Sequence, residues 1–242
     1  NLLFGFLLDG FMGLVASLVF GGAIAFGPDL WINRKVADPL EKLNRATFWV
    51  NDSLYTVFFR PLSKGYEKVL PKFFRKGVDN VFENVKYPVR VVNCVLQGKG
   101  ERAGLETKKF VINTMAGVGG LVRVSDKIPD IADIPAEDFG QTLAKWGFGH
   151  GPYIVLPLLG PSSTREFVGL AGDYAANPAN YGLYFYKGNA NHDWMYIPPP
   201  SNTLRSMPDQ FEKYDAATKD AVDPYLSARA AFSQQRDEAA KK

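Results

Sequence analysis

The sequence contains few of the residues that support metal, redox or nucleophilic chemistry. Its 242 residues include one cysteine, Cys94, and two histidines, His150 and His192, which lie far apart in the chain. A single cysteine excludes an intrachain disulfide framework and a cysteine-rich metal site, so a zinc site would need carboxylate ligands. The Gly-x-Ser-x-Gly motif of many esterases is also missing.

The weaker candidates for a cofactor, metal or nucleophile site each lack part of the expected pattern. The alternating glycines of residues 147–151 lack the spacing and the preceding parallel strand of a dinucleotide-binding loop. Asp126, Asp130 and Asp133 could bind a hard cation, but apolar residues interrupt them and the loop glycines of such a site are missing. Cys94 lies in an apolar run without a histidine partner. We therefore predict no catalytic residue, no cofactor and no metal.

Neither excess charge nor high overall hydropathy marks this chain. Lys and Arg number 28 and Asp and Glu 25, and the resulting net charge of +3 is too small to predict a nucleic-acid partner. Hydrophobic residues make up 46% of the chain, which is enough for one large domain or two small ones. A mean hydropathy of −0.12 excludes a polytopic transporter.

The N-terminal 30 residues form the most apolar part of the sequence. Asp9 and Asp29 are their only charges, and residues 11–28 carry none. As a helix this charge-free run would be about 27 Å long, close to the hydrocarbon thickness of a bilayer. Three interpretations are open: a signal peptide, a membrane anchor or a buried core helix. We favour a membrane anchor over residues 1–30 because a signal peptide's positive N-terminal region is missing.

The remaining sequence predicts helices and, without sustained two-residue alternation, no sheet. Asp38-Pro39 is typical of a helix start, with Asp38 as the cap and proline in the first turn. This helix would reach about residue 60 and is apolar around much of its circumference, so it is deeply buried or touches lipid. Further helices are predicted over 78–96 with a kink at Pro88, over 105–116, 138–146 and 204–214, and from Asp223 until they fade into a charged tail.

Two other stretches have an informative composition. Residues 147–161 are nearly all apolar and rich in glycine and proline, so they must be packed or dip into a membrane. The Ser163-x-x-Glu166 pattern after them predicts a helix-capping box. A basic stripe with four-residue spacing would meet phospholipid phosphates or an acidic partner, or would simply be a solvated face. The stripe consists of Lys64, Lys68, Lys72 and Lys76, with Pro71 inside it.

Several short motifs, in order and at matching spacing, resemble the MlaA (VacJ) family of outer-membrane lipid-asymmetry proteins. The resemblance covers about residues 38–232. It is carried by Asp38-Pro39-Leu40-Glu41 with Asn44-Arg45, Val92-Asn93 with Leu96-Gln97-Gly98, Asn113-Thr114 with Gly117-x-Gly119-Gly120-Leu121, Phe139-Gly140-x-Thr142-Leu143 running on through Trp146 to Tyr153, Leu156-Pro157, Gly160 and Arg165, and Asp223-Pro224-Tyr225 with Arg229.

The resemblance implies an all-α, ring-shaped protein embedded in the periplasmic leaflet of a Gram-negative outer membrane. Phospholipid from the outer leaflet would pass through a central amphipathic channel to a periplasmic lipid carrier and an MCE-type transport complex, without bond chemistry. Some members sit against trimeric porins. The alternative is a scaffolding membrane protein without a conduit. The chain would then divide into the anchor at 1–30, the family domain at 38–232 and a charged tail at 233–242.

The resemblance also implies site residues. Family members have a flexible hairpin beside the channel, which falls at 147–160 here, with Gly147 and Gly149 at its hinge. The other hairpin residues are Gly151, Pro152, Tyr153, Leu156, Pro157 and Gly160. Typical members are acylated on an N-terminal cysteine, so either a lipobox lies upstream of Asn1 or residues 1–28 replace the lipid.

The first helix of the family domain would border the channel. Asn44 and Asn51 are seven residues apart and share a face, with Phe48 between them. We predict that this face contributes to the channel wall or rim, together with Arg45 and Trp49. The alternative is that both asparagines satisfy buried backbone groups, as buried polar side chains usually do.

Overall fold

The computed structural model describes residues 37–177 and 198–241, of which 198–205 are described as helical backbone. The predicted N-terminal anchor, His192 and most of the expected connection between 177 and 200 lie outside these ranges. The described part is mainly α-helical. Its helices are α1 (Glu41–Leu54), α2 (Arg60–Val69), α3 (Lys72–Val85), α4 (Tyr87–Leu96), α5 (Gly100–Met115), α6 (Pro129–Ala132), α7 (Phe139–Lys145), α8 (Thr164–Ala176), α9 (Pro198–Thr218) and α10 (Pro224–Lys241).

The first helix differs from its prediction at both ends. It begins at Glu41 after Leu40, and Asp38 does not cap it. Asp38 instead accepts hydrogen bonds from Asn44 and from two residues near the other end of the chain. The helical path does not stop at residue 60, because a π-helical turn at Tyr55–Phe59 leads directly into α2. Pro61 is tolerated there because it falls in the first turn of α2.

The predicted helix over 78–96 is two helices rather than one kinked helix. Helix α3 ends at Val85, and α4 begins at Tyr87 with Pro88 in its first turn, where the missing N–H has no helical partner to lose. Helix α3 itself starts earlier than expected, at Lys72, because Leu70 and Pro71 have extended ψ angles of 119° and 144°. A short 3₁₀ turn at Val124–Lys127 connects α5 to α6.

The prediction of no sheet is wrong. Strands β1 (Tyr153–Leu156) and β2 (Gly160–Ser163) form an antiparallel hairpin, with Tyr153 opposite Ser163 and Leu156 opposite Gly160. Four-residue strands are too short to show an alternating pattern in the sequence. The turn between them uses left-handed backbone at Leu158 (φ 66°) and Gly160 (φ 81°). The Ser163 half of the predicted capping box is confirmed, since its side chain accepts a hydrogen bond from the Glu166 N–H at the start of α8. The Glu166 carboxylate binds Arg165 and Arg236 instead of the Ser163 N–H.

The C-terminal charged residues are part of a helix. The sequence suggested that the last helix fades before its charged end, but α10 continues to Lys241. It is held there by Arg236, whose guanidinium pairs with Asp138, and by Asp237, which contacts His150. An ion pair with Asp138 and a hydrogen bond with His150 stabilise this end of the helix, and no local pattern reveals these distant partners.

The distribution of polar and apolar side chains is the reverse of that in a water-soluble domain. Among the described residues, the buried side chains include twenty polar or charged ones and eleven apolar ones. Large apolar side chains are exposed instead, among them Val57 (78%), Val69 (77%), Phe73 (84%) and Met115 (82%). Within residues 37–177 and 198–241, no helix has the length and apolarity needed to cross a membrane. The surface is thus apolar without any spanning segment in this part of the chain.

Candidate functional site

A groove of about 650 Å³ lies between α1–α2 on one side and α9–α10 on the other. Of the five channel residues predicted on α1, Arg45, Phe48 and Trp49 line it, whereas Asn44 and Asn51 do not. The described residues that line it are Arg45, Phe48, Trp49, Asp52, Arg60, Tyr214, Asp215, Thr218, Lys219, Asp223, Pro224 and Tyr225. Sequence reasoning missed the α9–α10 half of this wall because these residues lie more than 150 positions after α1.

Aromatic rings form the apolar part of the groove. The Phe48 ring packs edge-on against Tyr225, with 5.7 Å between centroids, and lies 6.1 Å from Tyr214. Tyr55 extends the cluster by contacting Tyr214 at 5.7 Å. Trp49 is 70% exposed at the edge of the groove. The wall therefore presents a broad apolar surface to anything that enters.

Two ion pairs cross the groove and supply its polar part. On one side, Arg45 binds Asp223 (Nη1 to Oδ2, 2.9 Å) and stacks over the Tyr225 ring at 4.5 Å. The N–H of Leu226 and the Arg45 guanidinium hold the pKa of the Asp223 carboxyl below its usual range. On the other side, both terminal nitrogens of Arg60 contact the Asp215 carboxylate. These pairs join α1 and α2 to the C-terminal helices.

One carboxylate of the groove binds a phenol instead of a cation. Asp52 accepts a hydrogen bond from the Tyr214 hydroxyl at 2.7 Å. Burial raises the pKa of Tyr214, and the neighbouring Asp52 raises it further, so the phenol remains a donor at neutral pH. Lys219 adds an exposed ammonium group in the turn that follows α9. The groove therefore combines aromatic surface with charges of both signs, the requirement for an amphipathic ligand.

Asn44 and Asn51 satisfy backbone groups of the hairpin, which was the alternative to a place in the channel wall. The Asn44 amide donates to the Tyr153 carbonyl (2.9 Å) and accepts from the Val155 N–H (2.9 Å). The Asn51 amide donates to the Leu156 carbonyl (2.9 Å) and accepts from the Leu158 N–H (2.8 Å). Both side chains are nearly inaccessible to solvent, at 1% and 2%.

These two asparagines hold the free edge of β1 against α1. They can do so because the distance between them along the helix matches the distance between their partners along the strand. Seven helical residues rise about 10.5 Å. Three strand residues, from the Tyr153 carbonyl to the Leu156 carbonyl, advance about 10 Å. Each amide therefore meets an N–H and a C=O of the hairpin, and Tyr55 adds a fifth bond from its hydroxyl to the Leu158 carbonyl at 2.7 Å. We call this set of five hydrogen bonds the amide clamp.

The predicted hairpin residues are divided between the interior and the surface. Five of these residues are buried: Gly151, Pro152, Tyr153, Leu156 and Gly160. Pro157 is exposed at the tip, where the neighbouring Leu158 and Leu159 are more than half exposed. The tip is thus a small apolar surface at the end of a well-packed ribbon.

The two glycines predicted as the hinge have different environments. Gly147 is exposed, has a φ of 96°, which favours glycine, and leaves open space where a Cβ would lie. Gly149 is buried. Hinge motion at these positions stays a prediction.

A charged cluster at the base of the hairpin was not predicted. Asp138 caps α7, and both terminal nitrogens of Arg236 bind its carboxylate at 2.8 Å. Arg236 also contacts Glu166 on α8. Although burial opposes its ionisation, Arg236 holds the pKa of the Asp138 carboxyl below its usual range. Because Asp138 and Arg236 are 98 positions apart, no sequence spacing could indicate the pair.

His150 joins this cluster to the hairpin. Its Nε2 lies 2.8 Å from an Asp237 carboxylate oxygen, and its Nδ1 lies 3.2 Å from Arg165. Since Arg165 can only donate, Nδ1 accepts and Nε2 carries the proton. The buried histidine is therefore a structural link between the hairpin base and α10.

The predicted basic stripe is not one helical face. Lys64 and Lys68 belong to α2 and Lys72 and Lys76 to α3, because the chain is extended between the two helices. All four are exposed. Among the described residues, no group of three or more histidine, cysteine or acidic side chains could hold a metal ion.

The motif residues behind the family resemblance mostly bond between helices. Asn93 on α4 donates to Asp173 on α8 (2.9 Å), and the Thr142 hydroxyl on α7 donates to Asn93 (2.8 Å). Arg229 on α10 binds Asp38 at 2.8 Å, so the two ends of the family domain meet beside the groove.

Comparisons with known proteins agree with this arrangement. The profile of the MlaA lipoprotein family matches residues 36–239. An uncharacterized protein of Rickettsia prowazekii (strain Madrid E) is 34% identical over 204 residues, 84% of this chain and 78% of the relative. The intermembrane phospholipid transport system lipoprotein MlaA of Escherichia coli (strain K12) is 27% identical, over 83% of this chain and 77% of that protein.

A solved structure has a similar fold. It is described as the structural basis for maintenance of bacterial outer membrane lipid asymmetry, and it superimposes with a TM-score of 0.69 at 29% identity. The similarity covers 84% of this chain and 99% of the solved one.

Proposed function

Because this chain belongs to the MlaA lipoprotein family, we propose that it is the outer-membrane component of an intermembrane phospholipid transport system in a Gram-negative bacterium. It takes phospholipid from the outer leaflet and passes it onward, which maintains the lipid asymmetry of that membrane. The chain performs this as a conduit and breaks no bond in its cargo.

The observation that carries the proposal is the mixed lining of the groove between α1–α2 and α9–α10. A phospholipid needs polar partners for its headgroup and apolar surface for its tails. The groove supplies both, through the charged side chains of Lys219 and Asp52 and through the rings of Phe48, Trp49 and Tyr214. The groove is therefore the lipid passage, or the part of the central channel that residues 37–177 and 198–241 form.

The inverted burial supports placement within a leaflet. Helices with exposed side chains such as Val69 on α2 and Phe73 on α3 would be a liability in water, whereas acyl chains solvate such side chains without cost. We place these apolar surfaces among the acyl chains of the periplasmic leaflet. The basic stripe on α2 and α3 then lies near lipid phosphates or an acidic partner.

The hairpin is the movable element in this proposal. Its apolar tip is held to α1 by Asn51 and Tyr55, while the deeper Asn44 holds its base. Opening would break the tip bonds first and pivot about Gly147 and Gly149. Lipid released by this motion goes to a periplasmic carrier and an MCE-type complex, and a trimeric porin is a further partner for the outer face.

The experiment uses a Gram-negative host whose own family member has been deleted. The measurement is phospholipid in the outer leaflet, from its accessibility to an external amine-reactive dye in intact cells. The full chain should lower this value. Trp49→Asp, which puts a charge on the apolar wall of the groove, should abolish the effect at equal protein abundance.

A matched variant separates the groove from general surface changes. Val222→Asp makes a similar change at a fully exposed position outside the groove lining and should still lower outer-leaflet phospholipid. If Trp49→Asp works as well as the unmodified chain, the groove is not the passage.

A further inference from the structure

The charges that line the groove balance. Three cations face three carboxylates: Arg45, Arg60 and Lys219 against Asp52, Asp215 and Asp223. A site for an anionic ligand normally presents a surplus of arginine or lysine. The described residues that line this groove show no such surplus, so the balance of their charges constrains which phospholipid headgroup the groove accepts.

The two arginines have little capacity left for a phosphate. Arg60 is bound in bidentate fashion by Asp215. Arg45 is shared between Asp223 at 2.9 Å and Glu41 at 2.7 Å. A phosphate would have to displace a carboxylate from either one and would leave that carboxylate without its partner.

One cation and one carboxylate of the lining remain outside these pairs. Among the described residues, neither Lys219 nor Asp52 forms an ion pair, and Asp52 accepts only the neutral Tyr214 hydroxyl. A ligand that carries one positive and one negative group would satisfy both. The rings of Trp49 and Tyr214 lie in the same lining and offer faces that attract an ammonium group.

We infer that the groove selects phospholipids with a zwitterionic headgroup, in which Lys219 meets the phosphate and Asp52 meets the ammonium. This inference rests on the proposed function, because it assigns the headgroup preference of the same groove. Phospholipids whose headgroup carries only negative charge meet Asp52 with nothing to offset it, so they are disfavoured.

The test measures bound lipid after reconstitution. The full chain is incubated with vesicles of equal phosphatidylethanolamine and phosphatidylglycerol, repurified in detergent, and its bound lipids are quantified by mass spectrometry. The expected enrichment of phosphatidylethanolamine is about twofold to fivefold, the scale of one partly exposed charge interaction.

Two variants should move the ratio in opposite directions. Asp52→Asn keeps an oxygen acceptor for Tyr214 but removes the charge, so enrichment should disappear or reverse. Lys219→Gln leaves Asp52 uncompensated, so total bound lipid should fall while the phosphatidylethanolamine share rises. Glu101→Gln, a charge loss on the exposed start of α5, is the control and should change neither quantity.

The outcomes separate this inference from the proposed function. Bound lipid at the vesicle ratio, unchanged in both variants, overturns the headgroup preference and leaves the conduit standing. Equal losses of total lipid without opposite ratio shifts overturn it as well. A full chain that retains no phospholipid at all overturns the conduit and the preference together.

Discussion

Replacing Asn44 by alanine should release the base of the hairpin from α1. The substitution leaves two buried backbone groups, the Tyr153 carbonyl and the Val155 N–H, without their partner. An unsatisfied buried group costs about 1–3 kcal/mol, so the local loss for the two groups is about 2–6 kcal/mol. At 1.4 kcal/mol for each tenfold change, amide exchange at Val155 should accelerate by at least about tenfold.

Asn51→Ala should act on the tip instead. Leu158 is 53% exposed, so water replaces part of the lost hydrogen bonding and the cost is smaller, about 1 kcal/mol. Exchange at Leu158 should approach the unprotected rate while Val155 stays protected. The position of the faster exchange therefore distinguishes the two halves of the amide clamp.

Hydrogen exchange followed by mass spectrometry in lipid nanodiscs measures both effects, with peptides from α4 as an internal reference for global unfolding. The matched control is Asn80→Ala, which removes a bond to the Leu121 carbonyl far from the hairpin and should leave residues 153–158 unchanged. Unaltered protection of Val155 in Asn44→Ala, at equal protection of α4, would refute the clamp.

Three further predictions concern stability and surface. Burial raises the pKa of the Asp173 carboxyl to about 6 in the folded protein. Because this carboxyl loses its proton at lower pH in the unfolded chain, stability falls as the pH rises from about 4 to 6. Asp173→Asn should therefore raise the free energy of unfolding by about 1–2 kcal/mol at pH 8, a value reduced for the partial exposure of the side chain, and should leave it unchanged at pH 4. Gly140→Ala places a Cβ against the Glu166 carboxylate and the Arg236 guanidinium and should lower the free energy of unfolding by about 1–3 kcal/mol in denaturant titration. A polarity-sensitive dye on Phe73→Cys should report an apolar environment in vesicles; Cys94 will not compete, because burial raises its thiol pKa to about 11.

Each of these predictions has a control within the chain. Gly104→Ala has open space around its Cβ and should be neutral or stabilising by about 0.5–1 kcal/mol; equal losses in both glycine variants would contradict the packing argument. A dye on Lys108→Cys, an exposed polar position on α5, should report water. A pH-independent gain in Asp173→Asn would show that burial of charge is not the cause.

The helices could be predicted largely because their signals are local. The Ser163 capping box, the proline after Asp223 and the apolar spacing of 138–146 each operate within one or two turns. The hairpin strands were missed because four residues are too few to establish alternation. The exact starts of α1 and α3 were missed because Asp38 and Pro71 are used by contacts and backbone angles that the local pattern does not contain.

Only the wall of the groove that α1 forms could be predicted from the sequence. Arg45, Phe48 and Trp49 were identified from the composition of α1 and the family resemblance, and they do line the groove. Its other wall comes from residues 214–225, and only tertiary packing brings them within reach. Asn44 and Asn51 could have faced a ligand in the channel or the backbone of another element. The two interpretations differ only in what packs against this face of α1, and the sequence does not contain that information.

The most direct test of the conduit is to find where a phospholipid headgroup touches the protein. The full chain is reconstituted in vesicles containing phosphatidylethanolamine with a photoreactive headgroup, irradiated and digested, and the modified residues are identified by mass spectrometry. Labels are expected on the groove walls, at Trp49, Asp52 and Lys219. Labels confined to outward apolar positions such as Phe73 and Val95, with none in the groove, would contradict it.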